Sequence, residues 1–187
     1  MISSKKELRE YLDYEYEKYF GSKNKLKVWI GSKMHLGEKN VIWMFQKNLR
    51  KLEYYINTKN KLISYLYKIK HTRMSIKYGL HIPPNCFDRG LKIMHLGSIL
   101  INDNARIGRD CYIHINTNIV AGGTSHDAPI LGNGIIISVG ASIIGNIKIG
   151  DNTVIGAGAI VTKSFGDNVT IAGVPARIIS NNNSSSW

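Results

Sequence analysis

INDNARIGRDCYIHINTNIVAGGTSHDAPILGNGIIISVGASIIGNIKIGDNTVIGAGAIV, residues 101–161, carries an aliphatic side chain at every sixth position. The series is Ile101, Ile107, Ile113, Ile119, Leu131, Ile137, Ile143, Ile149, Ile155 and Val161, and only Ser125 interrupts it. Half of all the Ile, Leu and Val in the stretch fall on this one phase of six. A helix repeats every 3.6 residues and a strand every two, so neither explains a strict six. A hexapeptide repeat does, because it coils a chain into a parallel β-helix. Three six-residue sides close a coil of about 18 residues, so positions one coil apart are expected to stack.

Four residues after each aliphatic position, that stacking predicts one uniformly small column, Ala105, Gly123, Ala141 and Ala159. Its neighbours are mixed: Cys111, Pro129, Ile147 and Thr117, Ile135, Thr153. A column without bulk suits an extended ligand lying along the prism, although tight corners alone also ask for small residues. Recurrent Asn/Asp turns, such as Arg109-Asp110, Gly132-Asn133-Gly134 and Asp151-Asn152, supply residues that tolerate a left-handed backbone.

Outward from the repeat, the segment 1–80 reads as helical. Ser4 and Glu7 have capping-box spacing, and Phe20-Gly21 ends that helix. A basic connector, Lys23 to Lys39, follows. A second helix is expected after Asn40, with Val41, Met44, Phe45, Leu49, Leu52, Tyr55 and Ile56 on one face. A third runs from about Lys61 to Tyr78 with Leu62, Leu66, Ile69 and Ile76 inward, closed by Gly79 and Pro83-Pro84. The predicted organisation is a basic α-helical segment at 1–80, a β-helix domain at 81–179 and a polar tail at 180–187.

The net charge of +12 is concentrated at the N-terminal side. Residues 1–80 hold 18 Lys/Arg against 7 Asp/Glu, a balance of +11, and the remainder is nearly neutral. A segment this cationic suits an anionic membrane surface or an acidic glycan, or is simply a solvated surface. Nucleic acid is not expected, because no recognition motif accompanies the charge. No apolar run reaches the roughly 18 residues of a membrane span, and the start lacks a signal-peptide pattern. The expectation is a cytoplasmic protein, peripheral at the inner membrane face if the basic segment docks there. Cys86 and Cys111 read as inert small hydrophobes.

Ile82-Pro83-Pro84-Asn85, Gly90-Leu91-Lys92-Ile93-Met94-His95-Leu96-Gly97 and Ala105-Arg106-Ile107-Gly108 resemble the serine acetyltransferase-like hexapeptide acyltransferases. So do Gly122-Gly123-Thr124, Ile143 to Gly150, Ile155-Gly156-Ala157-Gly158-Ala159 and Gly173-Val174-Pro175-Ala176-Arg177. The shorter members found in capsule and exopolysaccharide gene clusters are the most similar. The resemblance implies a left-handed parallel β-helix, a homotrimer, and acetyl transfer from acetyl-CoA to a hydroxyl, without a metal. It places the catalytic base on His95, and a near-neutral imidazole can take a hydroxyl proton. It places the donor along Gly122, Gly123, Ala141 and Ala159, with Lys163 and Arg177 for the nucleotide phosphates.

The departures from the family bear on the acceptor. A carboxylate precedes the histidine in serine acetyltransferases, and Met94 stands here. The loop Ser125-His126-Asp127-Ala128-Pro129 lacks the family's Arg and His. These losses argue for a sugar hydroxyl of a capsule or exopolysaccharide precursor, with serine O-acetylation in cysteine biosynthesis as the alternative. His126 and Asp127 are candidate supports for His95 across a trimer interface. The acid that orients His95 has no clear counterpart, and His81 lies near its expected place. An antibiotic acetyltransferase, a metal site on His95, His114 and His126, and a non-catalytic trimeric scaffold are weaker readings.

Overall fold

The computed structural model describes residues 1–22, 24–123 and 127–184. Four helices lead: α1 Lys5–Phe20, α2 Lys25–Lys33, α3 Glu38–Asn57 and α4 Lys61–Tyr78. The Ser4/Glu7 capping box opens α1, Gly21 closes it, and Gly79 ends α4 in the left-handed conformation. Two expectations need correction. The basic connector is itself helical over Lys25–Lys33, with the Asn24 side chain capping its first turn. And α3 starts at Glu38, earlier than the pattern after Asn40 suggested.

Beyond α4 the chain coils into a three-sided prism of short parallel strands. The first face stacks β1 Leu80–His81, β3 Ile99–Ile101, β6 Thr117–Val120, β9 Ser142–Ile144 and β12 Ile160–Val161. The second stacks β4 Arg106–Ile107, β7 Ile130–Leu131 and β10 Lys148–Ile149. The third stacks β2 Lys92–Ile93, β5 Tyr112–Ile113, β8 Ile136–Ile137, β11 Val154–Ile155 and β13 Thr170–Gly173, and β14 Ala176–Ser180 pairs antiparallel with β13. All ten aliphatic residues of the six-beat series are buried. Asp110, Asn152 and Asn168 turn the corner between the second and third faces with φ of 60°, 55° and 57°.

The predicted columns are corrected by the register. Ile99 pairs with Thr117, three sides further along the chain, as a regular coil requires. Asn118 pairs with Ser142 and Arg106 with Ile130, and each of those steps spans four sides' worth of sequence. Six residues between Val120 and Ile130 are therefore surplus to the coil. A surplus of six restores the inward phase, so the aliphatic rhythm survives while the regular three-side stacking does not. The Asn118 N–H donates to the Ala141 carbonyl and the Ser142 N–H to the Ala159 carbonyl, which stacks Thr117, Ala141 and Ala159. Ala105 lies instead under Pro129 and Ile147, and Gly123 belongs to neither column.

The helices cover the open edge at β2. The Ile93 N–H donates to Tyr19 Oη at 2.6 Å, Gln46 Nε2 donates to the Leu91 carbonyl at 2.8 Å, and the Gly90 N–H donates to Glu15 at 3.0 Å. These side chains replace the strand that an edge lacks. Beside them Arg50, fully buried, binds Glu15 and Glu53 and donates to the carbonyls of Phe87 and Asp88. One hydrophobic core runs from Tyr16, Trp43 and Phe45 into the prism.

The last helix, α4, breaks its predicted face. Leu62, Leu66 and Ile76 are exposed, Ile69 is half-buried, and the buried residues are His71, Met74 and Ser75. In α3, Ile56 is also exposed. The α4 side that meets α3 and β1 lies off the apolar stripe.

Candidate active site

His95 sits at the corner between the third and first faces, in the turn from β2 to β3. Its imidazole is 57% exposed, and its Nδ1 lies 3.1 Å from Glu38 Oε2. The other carboxylate oxygen, Oε1, accepts the Leu96 N–H at 2.7 Å. Glu38 is the first residue of α3, so a helix N-terminus delivers the acid. The Leu96 N–H, and then the imidazole, hold the Glu38 carboxyl below its usual range, so it is an anion near neutral pH. A carboxylate on Nδ1 selects the tautomer with hydrogen there and leaves the Nε2 lone pair to accept a proton.

His114 stands one coil below, its ring centroid 6.3 Å from that of His95. Burial, and then the His95 charge, push the His114 imidazole down, which keeps it neutral near pH 7. A groove of about 620 Å³ opens beside it, lined by Met94, Tyr112, Ile136 and Ser138, with Lys18 and Asp110 paired at one end.

Down this corner the side chains shrink. Backbone bonds Met94 to Ile113, His114 to Ile137 and Ser138 to Ile155 stack Met94, His114, Ser138 and Gly156. The turn residues beside them are Asn116, Gly140 and Gly158, all with positive φ. Ala172 lies below Gly156, paired with the exposed Arg177 on β14. From His95 to Arg177 the corner therefore runs over about five strand spacings, roughly 24 Å.

The described residues singled out in the sequence fall in four places. His95 and Arg177 lie along this corner. Ala141 and Ala159 are buried just behind it, with their N–H groups donating to the Ser138 and Gly156 carbonyls and their own carbonyls accepting from the preceding coil, so their neighbours form the outer wall. Gly122, Gly123 and Asp127 lie at the opposite end of the first face, where a Cβ on Gly122 would meet Gly145 Cα at 3.1 Å and Asp127 accepts from Asn146. Lys163 is exposed past β12, over the Phe165 ring. His126 lies outside the described residues. His81 is exposed on β1, and the acid in contact with His95 is Glu38. The available signal for Glu38 was scarcity: between residues 18 and 80 it and Glu53 are the only carboxylates among 15 Lys/Arg. Among the described residues no group of three or more His, Cys, Asp or Glu gathers as a metal cage.

A three-sided β-helix with an acid-backed histidine at one corner defines the hexapeptide-repeat acyltransferase fold. No family model matches the chain. Its sequence is 35% identical over 133 residues to the serine acetyltransferase of Buchnera aphidicola subsp. Acyrthosiphon pisum, covering 68% of this chain and 47% of that one. A serine acetyltransferase from Brucella abortus strain S19 superposes with a TM-score of 0.69 at 25% identity, over 95% of this chain and 69% of that one. The same Brucella protein in complex with coenzyme A superposes with a TM-score of 0.69 at 25% identity, over 94% and 67%. The chain spans about half the length of the curated relatives it matches. The chain therefore shares the left-handed β-helix fold of these serine acetyltransferases and is similar to them in sequence.

Proposed function

We propose that this protein is an O-acetyltransferase that uses acetyl-CoA, with His95 as general base and Glu38 as its positioning residue. The observation that carries this reading is the Glu38–His95 pair on an exposed corner above a shallow wall. His95 Nε2 takes the acceptor's hydroxyl proton as that oxygen attacks the thioester carbonyl. The imidazolium, stabilised by Glu38, then returns the proton to the departing thiolate. The donor's extended arm fits the narrowing corner past Ser138 and Gly156, with Arg177 at the phosphate end and Lys163 as a second cation. A homotrimer would set Gly122, Gly123 and Asp127 of one subunit against the His95 corner of the next.

L-serine is the acceptor favoured by the relatives' names. A sugar hydroxyl is the second reading, supported by Met94, a thioether where the family carries a carboxylate, and by Tyr112 and His114 lining the groove. Acetyl-CoA turnover with L-serine and with sugar acceptors tests both. CoA release with serine alone selects the first, release with sugars alone the second, and equal rates for wild type and His95→Ala reject the catalytic assignment.

A further inference from the structure

The four helices leave one side uncovered. On α4, Leu62, Leu66, Ile69 and Ile76 recur at helical spacing, and Leu62, Leu66 and Ile76 are 74%, 59% and 72% exposed. Those three form an apolar line that no described part of the chain covers, with the half-buried Ile69 beside it. On α2, Trp29 is 53% exposed. Between these helices lies a cleft of about 280 Å³ that gathers Lys33, Lys47, Lys51 and Lys70 around Trp29 and Tyr67. A second groove, sharing Met44 and Lys70 with it, joins Leu66 and Ile69 to Arg73 and Lys77.

The cations here lack counterions. Neither α2 nor α4 contains an acidic residue. The two acids of α3 are engaged elsewhere, Glu38 on His95 and Glu53 on Arg50. No described carboxylate pairs with Lys33, Lys47, Lys51 or Lys70, and Lys47 lies over the Trp43 ring. Burial and the three neighbouring lysines lower the Lys47 pKa, the sign of a cluster that awaits negative charge.

A second copy is a poor occupant. A two-fold interface pairs a patch with itself, which would press uncompensated lysines together. The occupant must combine negative charge with an apolar layer. We propose that the α2–α4 side docks on an anionic phospholipid bilayer. The α4 stripe and Trp29 would enter the boundary between headgroups and acyl chains, and the lysine cleft would take up lipid phosphates. Acetylation would then take place beside a membrane; the docking itself does not depend on the catalytic reading.

Co-sedimentation of the full chain with vesicles tests this, using phosphatidylcholine alone and phosphatidylcholine with phosphatidylglycerol. Retention is expected on the anionic vesicles only, and is expected to fall at least tenfold on raising the salt from about 0.05 to 0.5 M. Leu66→Asp and the pair Lys47→Glu, Lys70→Glu should each abolish retention. Far-UV circular dichroism and acetyl-CoA turnover in solution should stay unchanged, which separates this test from the catalytic one. Equal retention on both vesicle types, none on either, or retention unchanged by these substitutions would overturn the proposal. So would loss of a higher oligomer by Leu66→Asp without any lipid binding.

Discussion

His95 and Glu38 divide one task between two distant pieces of chain. Their contact joins α3 to the turn after β2 and uses both carboxylate oxygens, one for the ring and one for the backbone of the turn that carries it. Removing the base by His95→Ala should lower kcat by about 10² to 10⁴, measured by CoA release. Glu38→Gln keeps the shape but removes the charge. It should lower kcat roughly tenfold to a hundredfold while the KM for acetyl-CoA stays close to wild type, because the ring loses the anion that orients it. A merely structural role for Glu38 would instead lower stability and leave kcat in place. The cysteines are the contrasting case. Burial pushes both thiols up to about 12, so native protein should resist alkylation at Cys86 and Cys111 until unfolded, as read by mass spectrometry.

At the scale of elements, the join between helices and prism rests on polar groups that are satisfied only together. Arg50 binds two buried carboxylates and two strand-end carbonyls. Arg50→Ala would strand all four, and a loss of about 3–5 kcal/mol is expected from urea unfolding. On α4, His71 is held neutral. Burial lowers its pKa, although Nε2 lies 2.9 Å from the Ile82 carbonyl. The folded pKa is depressed below the unfolded 6.5, so the unfolded chain takes up the proton first. This contribution to stability is complete above about pH 6.5. It is lost as pH falls toward the folded pKa, and His71→Phe should flatten that part of the curve.

For the whole molecule, the six surplus residues between Val120 and Ile130 are the sharpest test of the coil. Deleting positions 121–126 restores the regular three-side step between the neighbouring strands and leaves every inward residue inward. The deletion should fold, with thermal unfolding close to wild type. Deleting one residue fewer should also fold, because the step that pairs Leu80 with Ile99 already absorbs one surplus residue.

The hexapeptide rhythm by itself determined the prism and its inward residues, because one aliphatic position per side is a local demand that each coil repeats. It left the helical part to other signals, and there the caps of α1 and α4 were legible because they depend on neighbours in sequence. The helix at Lys25–Lys33, rich in lysine and closed by no clear stop signal, was hidden by its composition. The exposed stripe of α4 shows the limit of periodicity, which marks an apolar face but not whether anything covers it. Only the tertiary structure decided which columns stack, since a six-residue surplus is invisible to a six-residue period. It alone brought Glu38 to His95, because that pairing follows from how α3 lies against the first coil, and side chains far apart in the chain meet only through packing.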